Sequence, residues 1–536
     1  MDDSDEFLPM AISEYKQELQ MSFEFPIQTS ESLFFSMKRQ KNELFNTFCS
    51  RFEKNLAKRS SSMSFSYKLV CPDSIVEQTK LINMKMDNVL RDNNVLFISD
   101  RAYRIQYCSP TVIKFSFPKR LFINHFILPK IYMQNGKCGD CKFVWFCRSY
   151  DFKKKLALSP WIKLECEDYA LKLLPEYSNS QFKLEILPRR DNVIGVRSIH
   201  FTTLLPELLN CKFNYLQKQE FTSNITLPDE FRFVCYNLLA EMYTDTKESK
   251  DMFAYCAKEY LEFSYRKAIL CNEILSYSAD IYLFQEVDSN FFNSLSLTLK
   301  EFYSNYLPKK DIREGCAIFY RKSKFKYITD SQYLVSDLLR DPVHDQLCFC
   351  LKKQCELFKR LITLPNKLMI TILEDLSTNR IWIIANTHLY AGETADTVRF
   401  LQAYLCFIFL QSYQTKFENS YLVFGGDFNS TPDTYVLEIL NKDVNLNLFP
   451  EYSEIFYDFK LDLKLKSACG LPEYTNYTRN FVGCLDYIFI DDSKLNVKNI
   501  VPFPSREEVI ENEAIPSKKF PSDHIPLICT IEYKQI

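Results

Sequence analysis

The chain has 536 residues, 46% of them hydrophobic and 25% charged, with a formal net charge of −2. That length exceeds what one core supports, so two or three domains are expected. The near-neutral charge excludes a broadly basic surface for duplex DNA but leaves room for a local basic cleft around a short or single-stranded ligand. Nineteen cysteines scattered at irregular spacing have the pattern of reduced, buried thiols and point to an intracellular protein. Cys138-Gly-Asp-Cys141, followed by Cys147 and Cys166, lacks the second close pair of a zinc knuckle and reads as a turn. No apolar run approaches the roughly 18 residues of a membrane span; the longest, 404–410, reads as a buried helix face, and no membrane partner is expected. The start, MDDSDEFLPM, is acid-rich and lacks an apolar core, unlike a transit peptide or a secretory signal, which favours the cytosol.

Residues 1–225 carry short, β-branched or aromatic segments that predict a β-rich accessory region of one or two modules. They are SFSYKLV (64–70), NVLFISD (94–100), YRIQYC (103–108), VIKFSF (112–117), CKFVWFC (141–147), WIKLEC (161–166) and QFKLEIL (181–187). The segment 32–60, with Phe45, Phe48 and Phe52 among lysines and arginines, predicts an amphipathic helix with a solvated basic side. The only low-complexity stretch is SSSMS (60–64), and a polar linker is expected over 220–230.

From residue 226 to the end the texture changes, and a second domain is expected there. Apolar strand-like runs alternate with helical patterns, and each strand ends in a polar residue. FRFVCYN ends in Asn237, ADIYLFQE in Glu286, RIWIIANTH in His388 and YLVFGGD in Asp427, with Asn429 two places on. GCLDYIFI carries Asp486, and FPSDHIPLICTI opens with Asp523 and His524. The segments 244–278 and 395–413 predict helices. This is α/β architecture with chemistry at strand ends. Two of only nine glycines, Gly425 and Gly426, stand before Asp427 and read as a sharp turn at the strand end. Carboxylates and amide oxygens with few cysteines or histidines suit a hard cation such as Mg²⁺, and so point to phosphoryl chemistry. No P-loop, serine elbow or dinucleotide fingerprint is present.

These residues carry a resemblance. Asn237, LFQEVD around Glu286, NTH (386–388), GGDFNSTP (425–432), LDYIF (485–489) and SDH (522–524) resemble the endonuclease/exonuclease/phosphatase superfamily, in the order and spacing of its deadenylase-like branch. EGCAIFYRKSKF, EYTNYTRNFVGCLDYIFID and PSDHIPL are similar to the members that degrade oligoadenylates and trim poly(A). The resemblance implies a two-sheet α/β sandwich, preceded by the β-rich accessory region. It implies a Mg²⁺-dependent phosphodiesterase and 3′-exoribonuclease that acts on 2′,5′-oligoadenylates and 3′,5′-linked poly(A) and releases 5′-AMP.

By resemblance, Glu286 is the main Mg²⁺ ligand, with Asp427 and Asn429 in the same shell and Asn237 beside it. Asp427 deprotonates the attacking water, and Asn429 holds a phosphate oxygen or the metal's water. His524 donates to the scissile phosphate, steered by Asp486. Asp523 supports the metal side, and His388 stabilises the transition state or leaving oxygen. Phe481 stacks on an adenine, so that Asn237, Asn429 and Phe481 are the substrate contacts. The mitochondrial matrix is the compartment implied by kinship. After NTHLY the chain reads Ala391-Gly392-Glu393, where the family has a bulky aromatic and a proline, so a weak grip at this loop and cleavage of both linkages are expected. Two rival readings are a phosphomonoesterase of the same superfamily, which would need a basic pocket for extra phosphates, and a non-catalytic RNA-binding protein, which would have lost catalytic residues. The aromatic TNYTRNF segment argues for a base rather than extra phosphates, and no catalytic residue is lost.

Overall fold

The computed structural model of the chain describes residues 8–15, 18–28, 31–57, 65–209, 213–309, 313–392, 395–439 and 461–534. Most of the acidic start, the SSSMS stretch and Glu393 lie outside them. Chain contacts fall into two compact units, Met1–Leu208 and Leu209–Ile536. The division precedes the expected boundary at 225/226 because helix Asn214–Thr222 belongs to the second unit. Its Thr222 hydroxyl donates to the Ser276 carbonyl at 3.1 Å, and the buried Arg232 guanidinium donates to the carbonyls of Thr222 and Asn224, both at 3.0 Å. Much of the expected linker is therefore structural.

The first unit is built on a seven-stranded sheet in the order Glu31–Gln40, Glu18–Gln28, Leu8–Tyr15, Arg101–Tyr107, Val95–Ile98, Tyr67–Cys71, Ser74–Glu77. Alternation puts Leu19, Met21, Phe23 and Phe25 on one face, and all four are buried. Helix Phe45–Ala57 covers that face with Phe45, Phe48, Phe52 and Leu56. The single helix expected over 32–60 is corrected: its first third is the strand Glu31–Gln40. Pairing places Phe35 opposite Phe23 and Met37 opposite Met21, and this cross-strand packing outweighs the helical reading. The strands expected at 94–100, 103–108, 112–117 and 181–187 are present, whereas WIKLEC contributes only Ile162–Lys163. Cys138–Asp140 is a 3₁₀ turn, and among the described residues it joins no group of metal ligands.

The second unit is the expected sandwich of two six-stranded sheets. One runs Phe302–Pro308, Glu314–Arg321, Ile281–Asp288, Glu230–Asn237, Leu527–Tyr533, Leu495–Ile500. The other runs Phe325–Leu334, Lys367–Asp375, Ile381–His388, Tyr421–Asp427, Asp486–Asp491, Leu465–Ser467. Their inner faces meet in one core of residues such as Phe233, Leu283, Met369, Trp382, Ile488 and Ile531. These runs are apolar on both faces because helices cover the outside. Helix Asp396–Lys416 buries 404–410 against the second sheet, as expected. The helical segment 244–278 is broken into Lys247–Met252, Lys258–Leu261 and Phe263–Ser276. Among the described residues, no helix is long and apolar enough to cross a membrane.

The paired glycines need a correction. They lie inside the strand Tyr421–Asp427, not in a turn, with Gly426 between Thr387 and Tyr487 of its two neighbours. A β-carbon on Gly426 (φ +155°) would sit 2.2 Å from the Thr387 carbonyl oxygen, whereas one on Gly425 would chiefly meet the movable tip of Leu283. Glycine lets the three strands approach where they deliver His388, Asp427 and Asp486. Gly426→Ala is expected to destabilise the unit by about 3 kcal/mol and Gly425→Ala by about 1 kcal/mol, compared through their urea midpoints.

Candidate active site

Four strand ends from the two sheets converge on one acidic centre. Asn237 bridges it: its Nδ2 donates to Glu286 Oε1 at 3.1 Å and to Asp427 Oδ2 at 3.0 Å, joining the sheets by one side chain. Its own oxygen accepts from the Leu239 N–H at 3.0 Å, which fixes the amide's orientation. The other Glu286 oxygen accepts from the Ala240 N–H at 3.1 Å. Glu286 has φ +53°, at a bulge where the register shifts between Phe284 and Val287. A bulge re-aims a side chain at a cost of about 1–3 kcal/mol for the left-handed residue, a strain that such sites retain. Beneath, Gln285 Nε2 donates to Asn386 Oδ1 at 2.8 Å, and Asn386 donates to the Phe284 and Ala317 carbonyls. Asn386 thus clips the sheets together and explains the amide of the NTH motif.

Asp427 is buried among polar partners. His388 Nε2 is 3.6 Å and His524 Nε2 3.7 Å from its Oδ2, while Oδ1 accepts from the Asn429 N–H at 2.9 Å. Asn429 (φ +50°) adopts the left-handed turn that asparagine tolerates, and its Nδ2 donates to the Leu389 carbonyl at 3.0 Å. Asp486 Oδ2 lies 2.8 Å from His524 Nδ1 and accepts from the Thr475 hydroxyl at 2.6 Å. Asp523 stands next to His524, with its charge acting on both His524 and Glu286. Phe481, 40% exposed, sits at the tip of the hairpin Asn476–Tyr477 and Val482–Gly483. Asn476 in turn bridges to His524, so the aromatic tip is anchored to the centre.

Electrostatics sort these groups into roles. Burial, then Glu314 and Asp523, push Glu286 up to about 7. Burial and Asp486 push Asp427 up to about 6, against His524, Asn237 and the Asn429 N–H. The two histidines are driven apart. Burial, with Lys309 and His524 nearby, holds His388 well below its ordinary range. For His524 burial acts downward too, but Asp486, Asp427 and Asp523 together raise it well above that range. These directions favour the neutral imidazole at His388 and the imidazolium at His524, where Asp486 stands as counter-ion.

Several contributors lay outside the sequence reading. Lys309 Nζ is 2.5 Å from the fully buried Glu314 and 3.4 Å from His388 Nδ1. Glu314 opens the quoted EGCAIF run, but nothing local marks an acid that will be buried. Thr475 holds the Asp486 carboxylate, and Arg266, with no exposed surface, donates to the Leu238, Leu239 and Pro521 carbonyls beside the catalytic ends.

A divalent cation fits this donor set. Ligand atoms of Asp427, Asp486 and His524 lie within 4.8 Å of one another. Glu286 and Asp427 share the Asn237 amide, and like-charge crowding at Glu286 is what a bound cation relieves. The buried Asp486 Oδ1 and Glu314 Oε2 have no hydrogen-bond partner. Burial and neighbouring carboxylates push both Glu286 and Asp427 up, so a cation seated on that carboxylate side relieves the most crowding.

The chain resembles known proteins in the same region. A 2′,5′-phosphodiesterase 12 from Mus musculus is 29% identical over 474 residues, spanning 83% of this chain and 77% of that protein. The probable CCR4-Not complex 3′-5′-exoribonuclease subunit Ccr4 of Enterocytozoon bieneusi is 28% identical over 324 residues, 57% of this chain and 65% of that protein. A crystal structure of ANGEL2, a 2′,3′-cyclic phosphatase, covers 57% of this chain and 96% of its own, at 18% identity and a TM-score of 0.47. The pattern of the Endonuclease/Exonuclease/phosphatase family matches residues 236–524, more than half of the chain and every strand end described above, so the chain belongs to that family and is a hydrolase.

Proposed function

We propose that this protein is a Mg²⁺-dependent phosphodiesterase and 3′-exoribonuclease that degrades 2′,5′-linked oligoadenylates and 3′,5′-linked poly(A), releasing 5′-AMP. The observation that carries the reading is the buried Asp427 carboxylate set between two histidines, with His388 Nε2 3.6 Å and His524 Nε2 3.7 Å from its Oδ2. Similarity to a 2′,5′-phosphodiesterase and to a 3′-5′-exoribonuclease subunit supports the substrate class.

Glu286, Asp427 and Asn429 would hold the cation, which when bound neutralises charge on the scissile phosphate and the leaving oxygen. Asp427 Oδ2, fixed by Asn237, accepts a proton from the attacking water as its oxygen bonds to phosphorus. His524 donates from Nε2 to a non-bridging phosphate oxygen, and Asp486 balances the charge on its ring. His388, neutral, faces the oxygen that departs. The bond from phosphorus to the 2′ or 3′ oxygen breaks, that oxygen takes up a proton, and the phosphate stays on the 5′ side. Phe481 offers a half-exposed face for an adenine, a contact worth about 1–3 kcal/mol. The groups at the phosphate are common to both linkages, so discrimination falls to Phe481 and the loop after Tyr390.

Matched adenylate trimers of each linkage, incubated with Mg²⁺ or with EDTA and resolved by chromatography, test the proposal. Both are expected to yield 5′-AMP with Mg²⁺ and to persist in EDTA. A 3′-phosphate product would refute the mechanism, and an intact 2′,5′ trimer would refute that substrate.

A further inference from the structure

The first unit contains a basic pocket, remote in sequence from every residue placed in the active site. A cavity of about 450 Å³ is lined by Arg39, Arg51, Lys54, Asn55 and Ala57. Arg39 comes from the strand Glu31–Gln40 and the others from helix Phe45–Ala57, where positions 51, 54 and 55 share a face. The adjoining stripe of the helix, with Phe48 and Phe52, is packed into the core and holds the basic side in place.

Arg39 is the unusual member. It is only 7% exposed, its Nη1 donates to the Lys38 carbonyl at 2.8 Å, and its Nε is buried with no partner. Arg51 acts on it as a like charge, and Glu43 is the acid that acts on it from a distance. Among the described residues, none of Arg39, Arg51 and Lys54 has a carboxylate within ion-pair distance. Three cations without counter-ions around one cavity, one of them buried with a free donor, form a site awaiting an anion. Guanidinium forks match the tetrahedral oxygens of phosphate and make bidentate bonds to it, and Lys54 adds a point charge and Asn55 a neutral donor.

We infer that this pocket binds a phosphate group of single-stranded RNA, giving the first unit its own attachment point for the substrate. The choice of RNA rests on the function proposed above; the phosphate chemistry does not. A 12-nucleotide oligoadenylate offers phosphates beyond those that a dinucleotide presents to a catalytic centre. The pocket should therefore affect long substrates and spare short ones.

The test uses the full chain carrying Arg51→Glu and Lys54→Glu, two exposed positions on the helix surface. Fluorescence anisotropy with labelled 12-nucleotide oligoadenylate in EDTA, across a salt series, reads binding without turnover. The expected result is at least about a fivefold loss of affinity and a salt slope shallower by about 1 to 2, in keeping with roughly 0.7 per phosphate for single strands. Thermal melting should be unchanged, as should turnover of a dinucleotide in Mg²⁺. Unchanged affinity for the oligoadenylate would overturn the inference. So would loss of binding only to inorganic phosphate, or only to anionic phospholipid vesicles, with RNA affinity intact. Should the wild type bind the 12-mer through this pocket but hydrolyse no adenylate, the functional proposal falls and the phosphate site stands.

Discussion

Asp427→Asn is expected to lower kcat on adenylate oligomers by about 10³-fold or more, with little change in thermal stability. General base catalysis contributes about 10²–10⁴-fold, and the substitution also removes a negative charge from the seat proposed for the cation. The amide is nearly isosteric with the carboxylate; its one oxygen can keep the bond from the Asn429 N–H while the bond from Asn237 is lost, and the like-charge repulsion from Asp486 is relieved in exchange. The scaffold should therefore survive. Circular dichroism and turnover at saturating Mg²⁺ are to be read on the same preparation. Activity within tenfold of the wild type would remove Asp427 from the proposed role. His524→Gln provides the companion result: it keeps a donor but loses the charge that Asp486 balances, and a loss of about 10²-fold or more is expected.

The largest effect on stability is expected from Arg266→Ala, about 4 kcal/mol, read from urea unfolding. The guanidinium is fully buried and donates to the carbonyls of Leu261, Leu238, Leu239 and Pro521 at 2.9 to 3.3 Å. Truncation leaves those carbonyls without donors and opens a cavity, and each lost bond to a charged group is worth about 1.5–3 kcal/mol. It also removes the positive charge that acts on Asp288 and Asp523. The carbonyls it ties flank Asn237 and the Ser522-Asp523-His524 run, so kcat should fall with stability. Arg266→Lys keeps the charge but not the fork, and should lie between. An alanine variant as stable as the wild type would show that the chain closes over the vacancy unaided.

The catalytic strands were legible because each apolar run ends abruptly in a polar residue, as FRFVCYN and YLVFGGD do. A strand that is buried on both faces leaves its last side chain as the first able to meet solvent or ligand. Other features depended on contacts distant in sequence. The left-handed backbone of Glu286 arises from its bulge against Glu314–Arg321, and LFQEVD carries no glycine to announce it. Gly425 and Gly426 were read as a turn because their neighbours on either side, Asn386–Thr387 and Tyr487–Ile488, cannot be inferred locally. In the first unit, 32–60 was misread because phenylalanines spaced along a basic segment suit helix and strand alike until Phe23 and Met21 stand opposite. The Lys309–Glu314 pair was missed for the same reason: burial of a charge is a property of the packed sheets.

The strand order of the first catalytic sheet also governs when a newly made chain can act. Leu527–Tyr533 lies between Glu230–Asn237 and Leu495–Ile500, so the strand that carries Asn237 lacks one neighbour until residues near 533 have been synthesised. His524 arrives in the same stretch. Pairing across some 300 residues is slow relative to local structure, and domains complete only once their last element leaves the ribosome. An enzyme wired in this way completes its active centre only after the strand Leu527–Tyr533 has been made.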